Sequence, residues 1–268
     1  MIIGHKKQLN ILREMHDKNS LAHAYLFSGV DGIGKLNVAI DFGELLLKSD
    51  FNKSPDGYLY ENGLTIEEAR ILKKKLALSP LNSQYKVVII NNASNIKLEA
   101  ANAMLKILEE PSGDSIFFLL TSNTGLILPT IRSRCYTMNF FYVDNLSINE
   151  KFDTKKVIDL YDHWSGRPAY AQRLLEDPNY LKKIRECRND AGEFFNKELN
   201  TKFKIIEKYS KTDTGLFVNI LMEYLRSSKI QNKFFVLRDL FNVYKGLITT
   251  NFNIQFSLRS VAVKIKKP

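Results

Sequence analysis

A chain of 268 residues with a formal charge of +10, from 39 basic and 29 acidic side chains, has room for a full-sized core and about two or three domains, and its basic excess fits work near nucleic acid. No apolar run approaches membrane-spanning length and Met1-Ile2-Ile3-Gly4-His5 carries no signal-peptide core, so neither a span nor secretion is expected. Cys135 and Cys187 are too few for a disulfide framework or a four-thiolate zinc site, and His5, His16, His23 and His163 lack metal-ligand spacing, which points to a reduced, cytoplasmic chain.

Residues 6–18 lean helical and end in a turn at Asn19-Ser20. Ala24-Tyr25-Leu26-Phe27-Ser28 then reads as a strand running into Gly29-Val30-Asp31-Gly32-Ile33-Gly34-Lys35, and a helix follows over Leu36 to Leu47 with Ala39, Phe42 and Leu46 on one face. Residues 48–63 are polar and turn-rich and read as a surface insertion. Thr65 is set to cap the next helix, with Glu68 completing a capping box. Val87-Val88-Ile89-Ile90 has the pattern of a buried strand and leads through Asn91-Asn92-Ala93 into a helix over residues 97–109, with Leu98, Ala101, Leu105 and Leu108 facing inward and Pro111 as its stop. A further strand, Ile116 to Leu120, ends in the polar Thr121-Ser122-Asn123, and Leu128-Pro129-Thr130-Ile131-Arg132-Ser133-Arg134-Cys135 follows. Apolar strands that each end in polar residues define a parallel α/β sheet with its working edge at the strands' C-terminal ends. From Pro178 the pattern is helical: Phe234, Leu237, Phe241 and Tyr244 form one expected inward stripe, Ile254, Leu258 and Val261 another, and Leu216 to Met222 is apolar nearly all round.

Strand, glycine-rich loop and helix are the context of a phosphate-binding loop, in which Gly29, Gly32 and Gly34 let backbone N–H groups approach phosphate oxygens and Lys35 reaches the terminal phosphates. Two parts of the hydrolytic machinery are missing. Leu36 stands where a serine or threonine hydroxyl would ligate Mg²⁺, and Asn91 and Asn92 stand where a strand end would deliver acidic groups. An amide is neutral and cannot serve as a general base. Together the losses argue against hydrolysis in cis.

Ile3-Gly4-His5, Leu21 to Phe27, Gly32-Ile33-Gly34-Lys35, Ala101 to Pro111 and Leu128 to Cys135 resemble the AAA+ clamp-loader subunits of bacterial DNA polymerase III, and within that family the delta-prime type. The match covers about residues 1–140. It implies an AAA+ P-loop-type α/β domain over 1–140, a shortened helical lid over 141–177 and an all-α collar over 178–268. It also implies a hetero-pentamer with other clamp-loader subunits, acting on the sliding clamp and primed DNA, with no membrane partner. In that family the Ser-Arg-Cys arginine reaches the ATP of a neighbour, which assigns Ser133 and Arg134 to an arginine finger acting in trans; a guanidinium is always charged and its planar fork fits phosphate oxygens. Thr121 and Ser122 fall at the sensor-1 position. Tyr170 falls at the sensor-2 position, one turn from Arg167. The 48–63 insertion has no cysteine, so the zinc module of many delta-prime relatives is not expected, and no Mg²⁺ site is expected either.

The resemblance therefore implies a non-hydrolysing subunit with no required cofactor. Whether ATP or ADP rests passively in a vestigial loop stays open at the level of sequence. Two other readings also stand: a working AAA+ motor with an atypical site, and a stand-alone basic DNA-binding protein on a decayed ATPase fold. Plainer roles compete residue by residue. Arg134 can pair with a carboxylate of its own domain, Lys35 can be a solvated helix-start lysine, Cys135 can simply pack, Glu109-Glu110 can mark a helix end, and Lys264 to Pro268 can be a solvated tail.

Overall fold

Among the described residues, five strands form one sheet in the order β2-β3-β4-β1-β5, all running in the same direction. They are β1 (Ala24–Ser28), β2 (Gly57–Tyr60), β3 (Lys86–Ile90), β4 (Ser115–Thr121) and β5 (Tyr136–Asn139). The computed structural model describes residues 2–109, 114–210, 213–228, 230, 232–247 and 253–265. The expected stop at Pro111, the Glu110 half of the acidic pair and the Lys266-Lys267-Pro268 tail lie outside the described residues.

Near-continuous apolar strands are what a sheet covered on both faces requires. Along β1, Tyr25 and Phe27 pack with α1 (Lys6–Asp17) and α2 (Lys35–Leu47), while Ala24 and Leu26 face α3 (Ile66–Leu76) and α4 (Leu98–Glu109). Thr65 caps α3 with both halves of the capping box in place, as expected from its sequence. In register, Ser28 lies beside Thr121 on one side and Asn139 on the other, so three strand tips meet where the glycine loop begins.

Two expectations are corrected within this unit. The 48–63 segment is not a plain surface insertion: its last part is β2, the sheet's edge strand, and Phe51 and Asp56 are buried. The buried face of α4 is Ala100, Ala101, Met104, Ile107 and Leu108, with Leu98 61% exposed at the helix start, where it has no turn before it to pack against.

Asp56 explains how a polar stretch enters the sheet. Its carboxylate accepts from the N–H groups of Leu81 (2.9 Å), Asn82 (2.9 Å) and Ser83 (3.2 Å) and from the Ser83 hydroxyl (2.9 Å), fixing the approach to β3. Burial alone would raise its pKa, but these donors outweigh burial and hold the carboxyl below its ordinary value. A depressed folded pKa contributes stability above the unfolded value of about 3.9 that is lost as pH falls through the folded value. Asp56→Asn should therefore lower stability at pH 7 by about 1.5–3 kcal/mol, the range for hydrogen bonds to a charged group. Denaturant titrations should show that gap narrowing as pH falls from about 4 to 3; a gap that is constant with pH would refute the account.

Residues 1–153 and 166–170 form one compact unit, and 154–165 with 171–268 form a second. The second is helical: α7 (Tyr161–Trp164), α9 (Pro178–Asn196), α10 (Leu199–Ser210), α11 (Thr214–Ser227), α12 (Lys233–Gly246) and α13 (Ile254–Lys264), after α5 (Pro129–Arg132) and α6 (Asn145–Asn149) of the first unit. The helix α8 (Pro168–Glu176) begins in the first unit and continues in the second. Phe194, Phe195 and Phe217 are buried, as are Phe217, Val218, Ile220 and Leu221 of the segment expected to be apolar all round. His163 bonds Glu223 through Nδ1 (2.9 Å) and Tyr180 through Nε2 (3.0 Å), tying α7, α11 and α9 together. Leu258 and Val261 face inward as expected, but the α12 stripe is corrected: Val236, Leu240 and Val243 are buried, while Phe234 (76%) and Phe241 (49%) are exposed. Among the described residues no helix is long and apolar enough to cross a membrane.

Candidate functional site

The glycine loop follows β1 directly and feeds α2, whose N-cap is Gly34. A Cβ on Gly29 would lie 2.6 Å from the Phe140 carbonyl oxygen, so the loop's first glycine is required by close backbone approach beside β5. Gly32 has φ +77, and a Cβ there would lie 2.3 Å from Tyr170 Cγ.

Lys35 is buried and turns back on its own loop, donating to the carbonyls of Gly29 and of Val30 (3.0 Å), with Asp31 Oδ1 at 3.8 Å. Burial lowers its pKa and the Asp31 carboxylate opposes the shift. His5 braces the same loop from outside, its Nε2–H donating to the Ile33 carbonyl at 2.7 Å. Burial lowers the His5 pKa, the Ile33 bond opposes this, and the nearby Lys35 charge adds to it. The loop lysine and the N-terminal motif histidine thus satisfy three loop carbonyls.

Among the described residues, the positions expected to carry a Mg²⁺-ligating hydroxyl and an acid carry neither. Leu36 packs with the apolar cluster between α2 and the sheet. At the tip of β3, Asn92 has φ 50, a conformation asparagine tolerates, and its amide donates to the Glu61 carbonyl at 3.2 Å. Asn91 N–H donates to the Tyr60 carbonyl (2.8 Å). Neither is a carboxylate, so the residues present do not fit a hydrolytic Mg²⁺–nucleotide centre. Thr121 is buried at the tip of β4, its hydroxyl bonded to Asn123 O and Asn123 N (both 3.0 Å), while Ser122 is exposed. The Thr121 carbonyl accepts from Gly29 N–H at 3.2 Å, so this residue holds the loop's start.

Arg134 lies elsewhere. It precedes β5, whose register places Tyr136 beside Tyr25 at the N-terminal end of β1, whereas Gly29 follows the C-terminal end. At about 3.3 Å per residue the two levels are separated by roughly 15–20 Å along the strands. Its guanidinium donates to Glu109 Oε1 (2.7 Å) and to the Thr130 carbonyl (2.8 Å), and lies 3.4 Å from the Ser133 hydroxyl; its side chain is 34% exposed. Ser133 is exposed and donates to the Thr130 carbonyl at 3.1 Å. Cys135 packs against the core, with burial pushing its thiol up to about 11, which suits packing and not nucleophilic attack.

The structure thus brings Gly29, Gly32, Gly34, Lys35 and Thr121 together at one edge of the sheet and leaves Ser133 and Arg134 at the other. Sequence reasoning gave no role to His5, to Glu109 as the Arg134 partner, or to the contact of Tyr170 with the loop. Gly4-His5 in the N-terminal motif was the available signal for the first; the other two are long-range pairings with no local pattern.

The sheet order, the loop and the helical C-terminal part define an AAA+-type α/β protein. The full fold is shared with a DNA polymerase III gamma-subunit-related protein of Thermotoga maritima (TM-score 0.63, 20% identity, covering 96% of this chain and 97% of that one). It is also shared with the Holliday-junction branch-migration motor RuvB of the same organism (TM-score 0.50, 15% identity, 98% and 83% covered). Residues 52–144 match the family model described as DNA polymerase III, delta subunit, and the chain is 35% identical over 155 residues to the delta' subunit of DNA polymerase III from Bacillus subtilis (49% of this chain, 46% of that one). Over that part of its length, then, the chain is similar to clamp-loader delta-prime subunits. Its matches span less than half the length of the first curated relatives.

Proposed function

We infer that this chain is the non-hydrolysing, delta-prime-like subunit of a bacterial clamp loader, completing a hetero-pentameric ring in the cytoplasm and donating Arg134 in trans to a neighbouring ATPase subunit while the sliding clamp is placed on primed DNA. The observation that carries this is the placement of Arg134 across the sheet from its own loop: it cannot serve the chain's own phosphates, yet it stays partly exposed. Residues 1–140 supply the AAA+ core, 141–177 the short lid and 178–268 the ring-forming collar. Phe234, Phe235, Phe241 and Phe256 support the last assignment, because large exposed aromatics in a helical unit suit a subunit seam.

The purified chain should show no ATP turnover above background, with or without DNA. Turnover abolished by Lys35→Ala would instead favour a working motor with an atypical site. Pull-down from cells should recover the motor subunits; salt-dependent DNA binding with no ATPase partner would favour the stand-alone DNA-binding reading.

A further inference from the structure

We propose that Tyr170 is the residue that excludes nucleotide from the Gly29–Lys35 loop, acting as a fixed cover over Gly32. The inference rests on reading that loop as a phosphate loop, as the proposed function does, and adds what keeps it closed. Three contacts fix the ring there. The Ala169 N–H donates to the Gly32 carbonyl at 2.9 Å, and the Tyr170 N–H reaches the same oxygen at 3.4 Å, so the backbone of the helix start is pinned to the loop. The Tyr170 ring lies against Gly32, close enough that a Cβ would stand 2.3, 2.4 and 2.7 Å from its Cγ, Cδ2 and Cδ1. The Arg167 guanidinium lies 5.2 Å from the ring centroid, a cation–π contact on the same side chain.

The loop beneath is built for this closed state. A phosphate loop presents N–H groups and a free ammonium to an anion. Here Lys35 is spent on the Gly29 and Val30 carbonyls, and a ligand crossing Gly32 meets a ring. Lys35 can exchange carbonyls for phosphate oxygens without moving its backbone, because its stem is flexible and its charge is retained. The ring cannot be bypassed so simply, since it lies against Gly32 and the backbone that carries it is bonded to the Gly32 carbonyl. Tyr170, more than the missing hydroxyl at Leu36, is therefore what determines whether a nucleoside diphosphate can bind, while Leu36 and Asn91 determine that it cannot be hydrolysed.

The test is fluorescence titration of the 268-residue chain with N-methylanthraniloyl-ADP, with and without Mg²⁺. Wild type and Tyr170→Phe should bind only weakly and to the same extent. Tyr170→Ala should bind at least about tenfold more tightly than wild type. The double variant Tyr170→Ala, Lys35→Ala should lose the gain, which ties it to this loop. Tyr170→Val keeps an apolar contact without a ring and should behave like alanine, so the test survives if alanine destabilises the chain. Wild type binding as tightly as Tyr170→Ala, or neither Tyr170→Ala nor Tyr170→Val gaining affinity while both remain folded, would overturn the proposal. Either result leaves the trans role of Arg134 standing; ATP turnover by the wild-type chain would sink the non-hydrolysing reading separately.

Discussion

Arg134→Ala should cut the DNA-stimulated ATPase of a complex reconstituted from this chain, its motor subunits and the clamp by about 10³-fold or more, the lower end of what an arginine finger contributes. Assembly should be unchanged, because Arg134 is 34% exposed and its carboxylate partner Glu109 is 47% exposed. A pair at that exposure contributes only about 0–1 kcal/mol to stability. On the proposed trans role, the same weakness would let the guanidinium leave Glu109 for a neighbour's phosphate oxygens, since a triphosphate offers more charge and a bidentate fit. Arg134→Lys should restore little, as a point charge on a shorter stem lacks the fork. Glu109→Gln keeps the guanidinium and breaks only the ion pair, so it should retain most of the activity. Full activity in Arg134→Ala would show that the arginine serves its own domain and nothing else; loss of assembly would show a structural role instead.

What could be read in advance follows the physics of each signal. Buried parallel strands announce themselves because both faces are apolar, and β1, β3 and β4 fall where the Ala24, Val87 and Ile116 runs place them. The edge strands β2 and β5 do not, since one side of each lacks a neighbour and their residues are mixed: Gly57-Tyr58-Leu59-Tyr60 and Tyr136-Thr137-Met138-Asn139. Capping chemistry is local, so the Thr65–Glu68 box was legible to the residue. The α12 stripe was not, because phenylalanine at helical spacing looks the same whether it faces a core or a partner; the smaller Val236, Leu240 and Val243 fill the interior. At the site, the loop and the missing acidic groups are sequence facts. The turn of Lys35 onto the loop carbonyls of Gly29 and Val30, six and five residues back, follows from how the loop folds on itself and has no residue pattern, and the Arg134–Glu109 pair joins residues 25 apart.

The largest stability effect should come from Phe118→Ala, which is expected to lower the unfolding free energy of the first unit by about 3–5 kcal/mol. Phe118 is fully buried at the centre of the sheet, paired in register with Tyr25 on β1 and Ile89 on β3. Its ring stacks on Tyr25 at 5.3 Å and meets Phe27 at 5.4 Å and Phe42 at 6.1 Å, so one truncation removes three ring contacts and leaves a cavity between the sheet and α2. Each such pair contributes about 0.5–1.5 kcal/mol beyond the area it buries. Phe234→Ala on α12 is the matched control: at 76% exposure it should stay within about 0.5 kcal/mol in the isolated chain. Denaturant unfolding of both variants decides the point, and equal losses would mean that the sheet interior is not where this unit's stability resides. The consequence reaches the site, because β1 delivers Gly29 and β4 delivers the Thr121 carbonyl that holds it. Loosening the contact between those strands should let the glycine loop open before the helical unit unfolds, visible as faster hydrogen exchange at Gly29 in Phe118→Ala than in wild type.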